Sequence, residues 1–356
     1  MTGVGAAIIA SGERRSLQHN NQLVMKKVLV TGGAGYIGSA VVDLLVREGF
    51  HPVVLDTFFW GRESLDHLTG QITLIEGDVR SSRDVIYAVQ GVDAVVHLAG
   101  IVGQAACAQN PLAHFTTNIE STRTVLNCIA DPEVALVRDF VYLSSCSVYG
   151  NVAGIYDQVN ETTPAIPLSE YADGKLKAER IINEFAARVP HLSPTILRLT
   201  TIFGWSHRLR LDLVANMFVQ KAMNSGKLTI FGDGAQYRSL IHVQDVANAV
   251  LTVLRAPRYV RDRQVFHVGE ESNNITVKDL AECVCANVPG ATIEYKAQAD
   301  TDRRDYRIDC QKIKNTLDWT ANYSVEDGIR ELAEKLREAP VDFSQQKYRN
   351  NGYDYK

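Results

Sequence analysis

Tyr171 and Lys175 stand four residues apart in Tyr171-Ala-Asp-Gly-Lys175. On a helix, positions i and i+4 share a face, so an ammonium can lie beside a phenol. A free tyrosine titrates near ~10. A neighbouring cation favours the phenolate and makes the side chain a usable base near neutral pH. Ser145 closes the segment Asp139-Phe-Val-Tyr-Leu-Ser-Ser145 and can hydrogen-bond the same substrate oxygen. A base, a cation and a hydroxyl suit removal of a hydroxyl proton while a hydride leaves the carbon. The hydride acceptor is suggested by Gly32, Gly35 and Gly38 in Thr31-Gly-Gly-Ala-Gly-Tyr-Ile-Gly38. This spacing allows a tight turn, close approach to a pyrophosphate and tight helix packing. The N–H groups of Tyr36 and Ile37, at the helix start, would then face phosphate. Asp56 ends a second apolar run, where a carboxylate accepts bonds from a ribose diol and repels a 2′-phosphate. That favours NAD over NADP.

These groups need rigid elements to hold them. Short apolar runs predict strands at Lys27–Thr31, Val53–Asp56, Ile72–Ile75, Ala94–Leu98, Asp139–Ser145 and Thr195–Leu199. Helical patterns at Tyr36–Glu48, Arg83–Val89, Asn118–Ala130 and Lys175–Ala187 fall between them. Nearly all-apolar strands alternating with helices predict a doubly wound, parallel α/β (Rossmann) sheet covered on both faces. Beyond Gly204 the spacing predicts helices over Leu211–Met223 and Val243–Leu254, and strands over Leu228–Phe231 and Gln264–Val268. The expected division is a loose extension over 1–24 and a dinucleotide-binding domain over 25–204. Strands from about 240–270 return to that domain. Residues 205–238 and 271–340 form a smaller C-terminal α/β substrate lobe. A polar, tyrosine-rich tail follows over 341–356, and whether it swings free or packs is left open.

The chain has 356 residues, 46% of them hydrophobic and 22% charged, with a net charge of −4. That balance excludes a mainly disordered chain and a generally basic nucleic-acid binder. No apolar run approaches the ~18–20 residues of a membrane span. The N-terminus lacks the pattern of a signal peptide. Six scattered cysteines form neither a metal-binding pair of CxxC motifs nor a disulfide framework, and no metal is expected. A cytoplasmic protein with reduced thiols is expected.

Together these residues resemble the extended short-chain dehydrogenase/reductase family, in particular its NAD-dependent nucleotide-sugar epimerases and dehydratases. The resemblance covers roughly residues 26–340. Gly77-Asp78-Val79-Arg80 is similar to the family segment whose aspartate contacts adenine, and His97-Leu98-Ala99-Gly100 to its fourth-strand segment. The resemblance makes Asn118 the family's structural helix asparagine on the cofactor side. It makes Ser145, Tyr171 and Lys175 the catalytic hydroxyl, base and lysine. It makes Arg238, in Phe231-Gly-Asp-Gly-Ala-Gln-Tyr-Arg238, the arginine that grips a substrate diphosphate, with Arg303 or Arg304 as the second. The guanidinium fork matches phosphate geometry. Thr201 stands where many members have a substrate-touching asparagine. Asp212 and Asn216 fall at diphosphate- or sugar-contacting positions. Arg208 and Arg210 suit a phosphate or a sugar carboxylate.

The same resemblance implies epimerisation, most plausibly at C4. Tyr171 removes the C4 hydroxyl proton, hydride passes from C4 to NAD, the 4-keto sugar turns over, and hydride returns to the other face. A 4-ketoreductase or a C3/C5 epimerase would use the same parts. The 4,6-dehydratases carry an acidic pair just after the catalytic hydroxyl, where this chain has Cys146 and Ser147. The dehydrating and decarboxylating branches are therefore disfavoured. A non-catalytic dinucleotide-sensing or RNA-associated protein is set aside because Tyr171 and Lys175 are both kept. The substrate implied is a nucleotide-diphosphate sugar. Helices Asn118–Ala130 and Lys175–Ala187 resemble the pair that forms the family's four-helix interface, so a homodimer is expected.

Overall fold

The computed structural model describes residues 26–135, 137–152, 155–297, 305, 307–339, 341–353 and 355. The expected extension over 1–24 and the arginines Arg303 and Arg304 lie outside the described residues. Twelve strands are formed among the described residues: β1 (Lys27–Thr31), β2 (His51–Asp56), β3 (Thr73–Glu76), β4 (Ala94–His97), β5 (Asp139–Ser145), β6 (Ser193–Leu199), β7 (Thr201–Phe203), β8 (Lys227–Phe231), β9 (Tyr237–His242), β10 (Gln264–Val268), β11 (Asn274–Thr276) and β12 (Thr292–Lys296). Seven make one parallel sheet in the order β10-β6-β5-β4-β1-β2-β3. This is the Rossmann-like α/β sheet expected from the apolar runs.

Period-two alternation explains why both faces are buried. Val28 and Val30 of β1 pack into the layer of helices Tyr36–Arg47 and Val243–Arg255, while Leu29 between them packs into the opposite layer. That second layer is built by helices Ser82–Ala88, Ser121–Ala130 and Glu170–Arg188. The chain runs outward from β1 to β2 and β3, then returns to the far side of β1 as β4. This reversal opens a crevice at the carboxyl ends of the strands, the usual ligand site of such sheets.

Two boundaries differ from the expected ones in ways that matter to the site. The helix expected from Lys175 begins at Glu170, because the Ser169 side chain accepts a hydrogen bond from Ala172 N and caps it. Tyr171 therefore sits in the first turn. The helix expected from Asn118 begins at Ser121, and a π-helical turn, Phe115–Glu120, carries Asn118. Such turns re-aim side chains within helices.

The smaller lobe packs helices Val214–Ser225, Val277–Asn287 and Val325–Glu338 around Phe218, Leu280 and Ile329, beside the parallel pair β8–β12. A three-stranded sheet, β11-β9-β7, joins it to the main sheet. The apolar runs gave none of these three strands its bounds, and two of them are only three residues long. No described helix is long and apolar enough to cross a membrane.

Candidate active site

A cavity of about 940 Å³ lies over the carboxyl ends of β1, β2, β4 and β5, between the sheet and the smaller lobe. Its volume is at the upper end of the range of about 300–1,000 Å³ for small-molecule sites. Gly32, Gly35, Tyr36, Ile37, Gly38, Asp56, Asp78, Val79, Leu98, Ala99, Gly100, Ser145, Tyr171, Lys175, Thr201, Arg208, Asp212 and Arg238 all line it.

Backbone sets the floor. Gly32 adopts φ +72, and a Cβ there would lie 2.8 Å from Ala99 N. A Cβ at Gly38 would collide with Gly32 O. Thr31 holds the two loops together: its hydroxyl accepts from Leu98 N and Ala99 N, each at 3.2 Å, and pairs with His97 Nδ1 at 2.8 Å. Burial pushes the His97 imidazole down to about 3, so it is a neutral hydrogen-bonding partner. Asp56 accepts from Ala34 N at 3.0 Å and Phe58 N at 2.8 Å, which anchors the end of β2 to the glycine turn. Burial raises its carboxyl, and these two bonds and the Arg208 charge act against that rise. Asp78 is gripped by Arg80 at 2.6 and 2.8 Å; that pairing outweighs burial and lowers its carboxyl. The narrow glycine floor, the helix start and the flanking carboxylate fit the pyrophosphate and ribose of a dinucleotide.

The reactive groups project from β5 and the Glu170–Arg188 helix. Ser145 Oγ accepts from Ser147 N at 3.1 Å and Ser147 Oγ at 2.9 Å. Lys175 is 6% exposed, donates to Leu143 O at 2.7 Å and lies 4.8 Å over the Tyr142 ring. Burial lowers its ammonium to about 8. Tyr171 packs beside the small apolar cluster of Ile101, Ala106, Cys107 and Ala113. Gly174 allows this helix to approach closely, since a Cβ there would lie 2.5 Å from the His114 ring. Cys146 is buried and directs its Sγ at Arg198 O, away from the cavity.

Two expected ligand residues do different work. Asn118 does not line the cavity. Its amide clamps Ile101, accepting from Ile101 N and donating to Ile101 O, both at 2.8 Å. It fixes the loop after β4, which lines the cavity. Asn216 is fully buried. It accepts from Gly204 N at 2.9 Å, and it donates to Arg210 O at 2.8 Å and to the Tyr36 hydroxyl at 3.2 Å. It ties the smaller lobe to the glycine turn and does not line the cavity. The slot in the sequence was read correctly as polar, but the backbone uses the polarity.

On the opposite wall, β9 supplies Arg238 and β7 supplies Thr201. Arg210 pairs bidentately with Asp212 at 3.0 and 2.8 Å. Arg208 reaches across to the end of β2, with its guanidinium 4.3 Å over the Trp60 ring. Burial, with Arg210 beside it, lowers that guanidinium to about 10. Sequence reasoning did not single out Phe59, Trp60, Asn350, Asn351 or Tyr355, which also line the cavity. A signal was present in the aromatic pair after Asp56 and in the tyrosine-rich tail, but nothing local linked them.

Comparison with known proteins was made against this geometry. Residues 28–269 match the NAD dependent epimerase/dehydratase family. The chain is 29% identical to UDP-glucuronic acid decarboxylase 1 of Arabidopsis thaliana over 87% of this chain and 70% of that one. It is 28% identical to UDP-glucose 4-epimerase of Lactobacillus helveticus over 85% of this chain and 94% of that one. Among solved structures it is similar to UDP-glucuronic acid 4-epimerase from Bacillus cereus in complex with UDP-glucuronic acid and NAD, with a TM-score of 0.77, 25% identity, and 88% and 99% coverage.

Proposed function

The chain belongs to the NAD-dependent epimerase/dehydratase family, and from that premise we propose that it is a nucleotide-sugar epimerase inverting C4 through a transient 4-keto sugar. One observation carries this reading. Ser145, Tyr171 and Lys175 share one cavity with the glycine turn and Asp56, while the residue after Ser145 is a thiol aimed away from it. The cavity thus holds the parts for reversible oxidation of an alcohol, and the position expected to begin an acidic pair for loss of water is filled by Cys146.

NAD, when bound, supplies the hydride acceptor and later the donor. Gly32, Gly35 and Gly38 would seat its pyrophosphate, Asp56 would take its adenosine ribose, and Asp78 and Val79 would hold its adenine. Tyr171 takes the proton from the C4 hydroxyl and returns it after the sugar turns. Ser145 hydrogen-bonds the C4 oxygen. Lys175, held by Leu143 O, would hold the ribose and supply the charge that tunes Tyr171. Arg238 is the diphosphate contact among the described residues. It lines the cavity, is 6% exposed, and its guanidinium fork matches phosphate geometry. Residues 25–204 with 240–270 are assigned to the cofactor, and 205–238 with 271–340 to the sugar nucleotide. A cytoplasmic homodimer belongs to the same reading. It is supported by six unpaired cysteines and by exposed Leu112 and Phe115 beside the helix pair.

The test is a panel of UDP-, GDP-, CDP- and dTDP-sugars followed by NMR, with and without added NAD. A C4-inverted sugar formed without stoichiometric cofactor consumption supports the reading. Net accumulation of NADH, or of a deoxy or keto sugar, contradicts it.

A further inference from the structure

We propose that residues 345–353 and Tyr355, near the C-terminus, form a strap that closes over the dinucleotide end of the cavity and keeps the cofactor resident through turnover. The inference rests on the dinucleotide reading above and adds a third wall to that site.

The strap is tied to both halves of the molecule. At the smaller lobe, Leu211 N donates to Tyr348 O at 2.8 Å, Asn350 N to Asp212 Oδ2 at 3.2 Å, and Arg208 Nη2 to Asn350 Oδ1 at 2.8 Å. At the dinucleotide half, Asn110 Nδ2 donates to Tyr353 O at 2.9 Å, and Tyr355 N donates to Asn110 Oδ1 at 3.1 Å. Between these moorings the strap meets the two aromatic residues that follow β2. Tyr355 stacks on Phe59 with centroids 5.1 Å apart, and Tyr353 sets its ring edge-on to Trp60 at 4.6 Å. Phe59 and Trp60 stand just after Asp56, so the strap crosses the place where the ribose is expected. Tyr355 also packs on the Ile101 cluster that Tyr171 touches, so the strap reaches from the ribose end toward the base.

Arg208 shows why the closure responds to a ligand. The residue lines the cavity and is 93% buried by its 7% exposure, its Nε–H has no hydrogen-bond partner, and it makes no ion pair with a carboxylate among the described residues. A buried cation held by one neutral amide and one ring face is undersatisfied. A phosphate entering beside it supplies the missing acceptor, and Arg208 then joins ligand and strap through one side chain. The strap itself is mostly polar and half-exposed apart from Asn350, so it can detach without unfolding the lobe. Such a device suits an enzyme that must return its hydride: a reduced cofactor lost between the two half-reactions would strand the keto sugar.

The test measures cofactor retention, separately from turnover. The full chain and a chain ending at Phe343 are loaded with NADH, and release is followed by fluorescence after dilution into excess NAD. Release at least tenfold faster from the shortened chain supports the strap. Rates within twofold overturn it. Asn350→Ala and Tyr355→Ala in the full chain should each speed release severalfold, and they carry the test if the shortened chain does not fold. In the unaltered protein, saturating NAD should slow tryptic cleavage at exposed Lys347 at least tenfold; a rate unchanged by bound NAD contradicts the proposal. Absence of nicotinamide binding in every form would instead overturn the dinucleotide reading on which the strap depends, and is told apart from an unchanged release rate.

Discussion

On the dinucleotide side, the cavity is built from strand ends. The glycine turn follows β1, Asp56 closes β2, Leu98 to Gly100 follow β4 and Ser145 closes β5. On the opposite wall, Thr201, Arg208, Arg238 and Asn350 come from four separated segments, and three of them sit on loops or three-residue strands or in the tail. The first wall is fixed by backbone geometry and a large parallel sheet. The second is fixed by side chains bonding to other side chains, such as Arg210 to Asp212 and Arg208 to Asn350. A backbone-built wall serves a cofactor of constant shape. A wall of side chains allows one fold to accept different sugars, because a single substitution re-aims it.

The contrast can be broken at the chemistry between the walls. Tyr171→Phe removes the base and leaves both walls intact. It should lower kcat about 1,000-fold, within the usual span of about 10²–10⁴ for a general base. Bound nicotinamide, read by absorbance, should stay unchanged. Gly38→Ala strikes the backbone wall, where the new Cβ collides with Gly32 O. Nicotinamide occupancy after gel filtration should fall more than tenfold while the fold, read by circular dichroism, persists.

Lys175 belongs to both walls' interests, and its charge is held against burial. Its ammonium titrates near about 8 in the folded protein, against a reference of 10.5. Between those values the unfolded chain binds more protons than the folded one, so this group makes stability rise with pH across that window. Lys175→Met should therefore leave Tm at pH 7 unchanged or higher, while kcat falls about 100-fold. In the unaltered enzyme, activity should decline above about pH 8 as the cation is lost. A Tm lowered by many degrees would show that the Leu143 bond outweighs the buried charge.

On the side-chain wall, Arg238→Ala should raise KM for the sugar nucleotide about tenfold or more with a smaller change in kcat, as loss of a charge-assisted bond of about 1.5–3 kcal/mol implies. Nicotinamide retention should not move. Asn216→Ala gives the smallest functional effect. It should cost about 1–3 kcal/mol of stability, seen as a Tm lower by a few degrees, because Gly204 N and the Arg210 carbonyl lose their partner. A rise in KM without loss of stability would return Asn216 to the substrate contacts.

What was legible in the sequence follows the same division. The glycine turn, Asp56 and the Tyr171–Lys175 pair are local patterns, and backbone periodicity suffices to place them. The start of the Glu170–Arg188 helix was missed by five residues because its cap, Ser169, follows a proline-containing loop with no helical period. Asn118 was placed on the cofactor side and Asn216 among the substrate contacts, because a polar residue type does not reveal which backbone groups take its bonds. The strap was beyond reach for a plainer reason. Its contacts join Tyr348, Asn350, Tyr353 and Tyr355 to 59–60, 110 and 208–212, and no local pattern encodes a pairing across that distance.

The most direct test of the central claim uses a nucleotide hexose carrying deuterium at C4, incubated with the enzyme in ordinary water. Hydride recycling through a 4-keto sugar predicts a C4-inverted product that keeps its deuterium, with none gained at C3 or C5 when unlabelled substrate is run in D₂O. Loss of the C4 label to solvent, or exchange at C3 or C5, would contradict it.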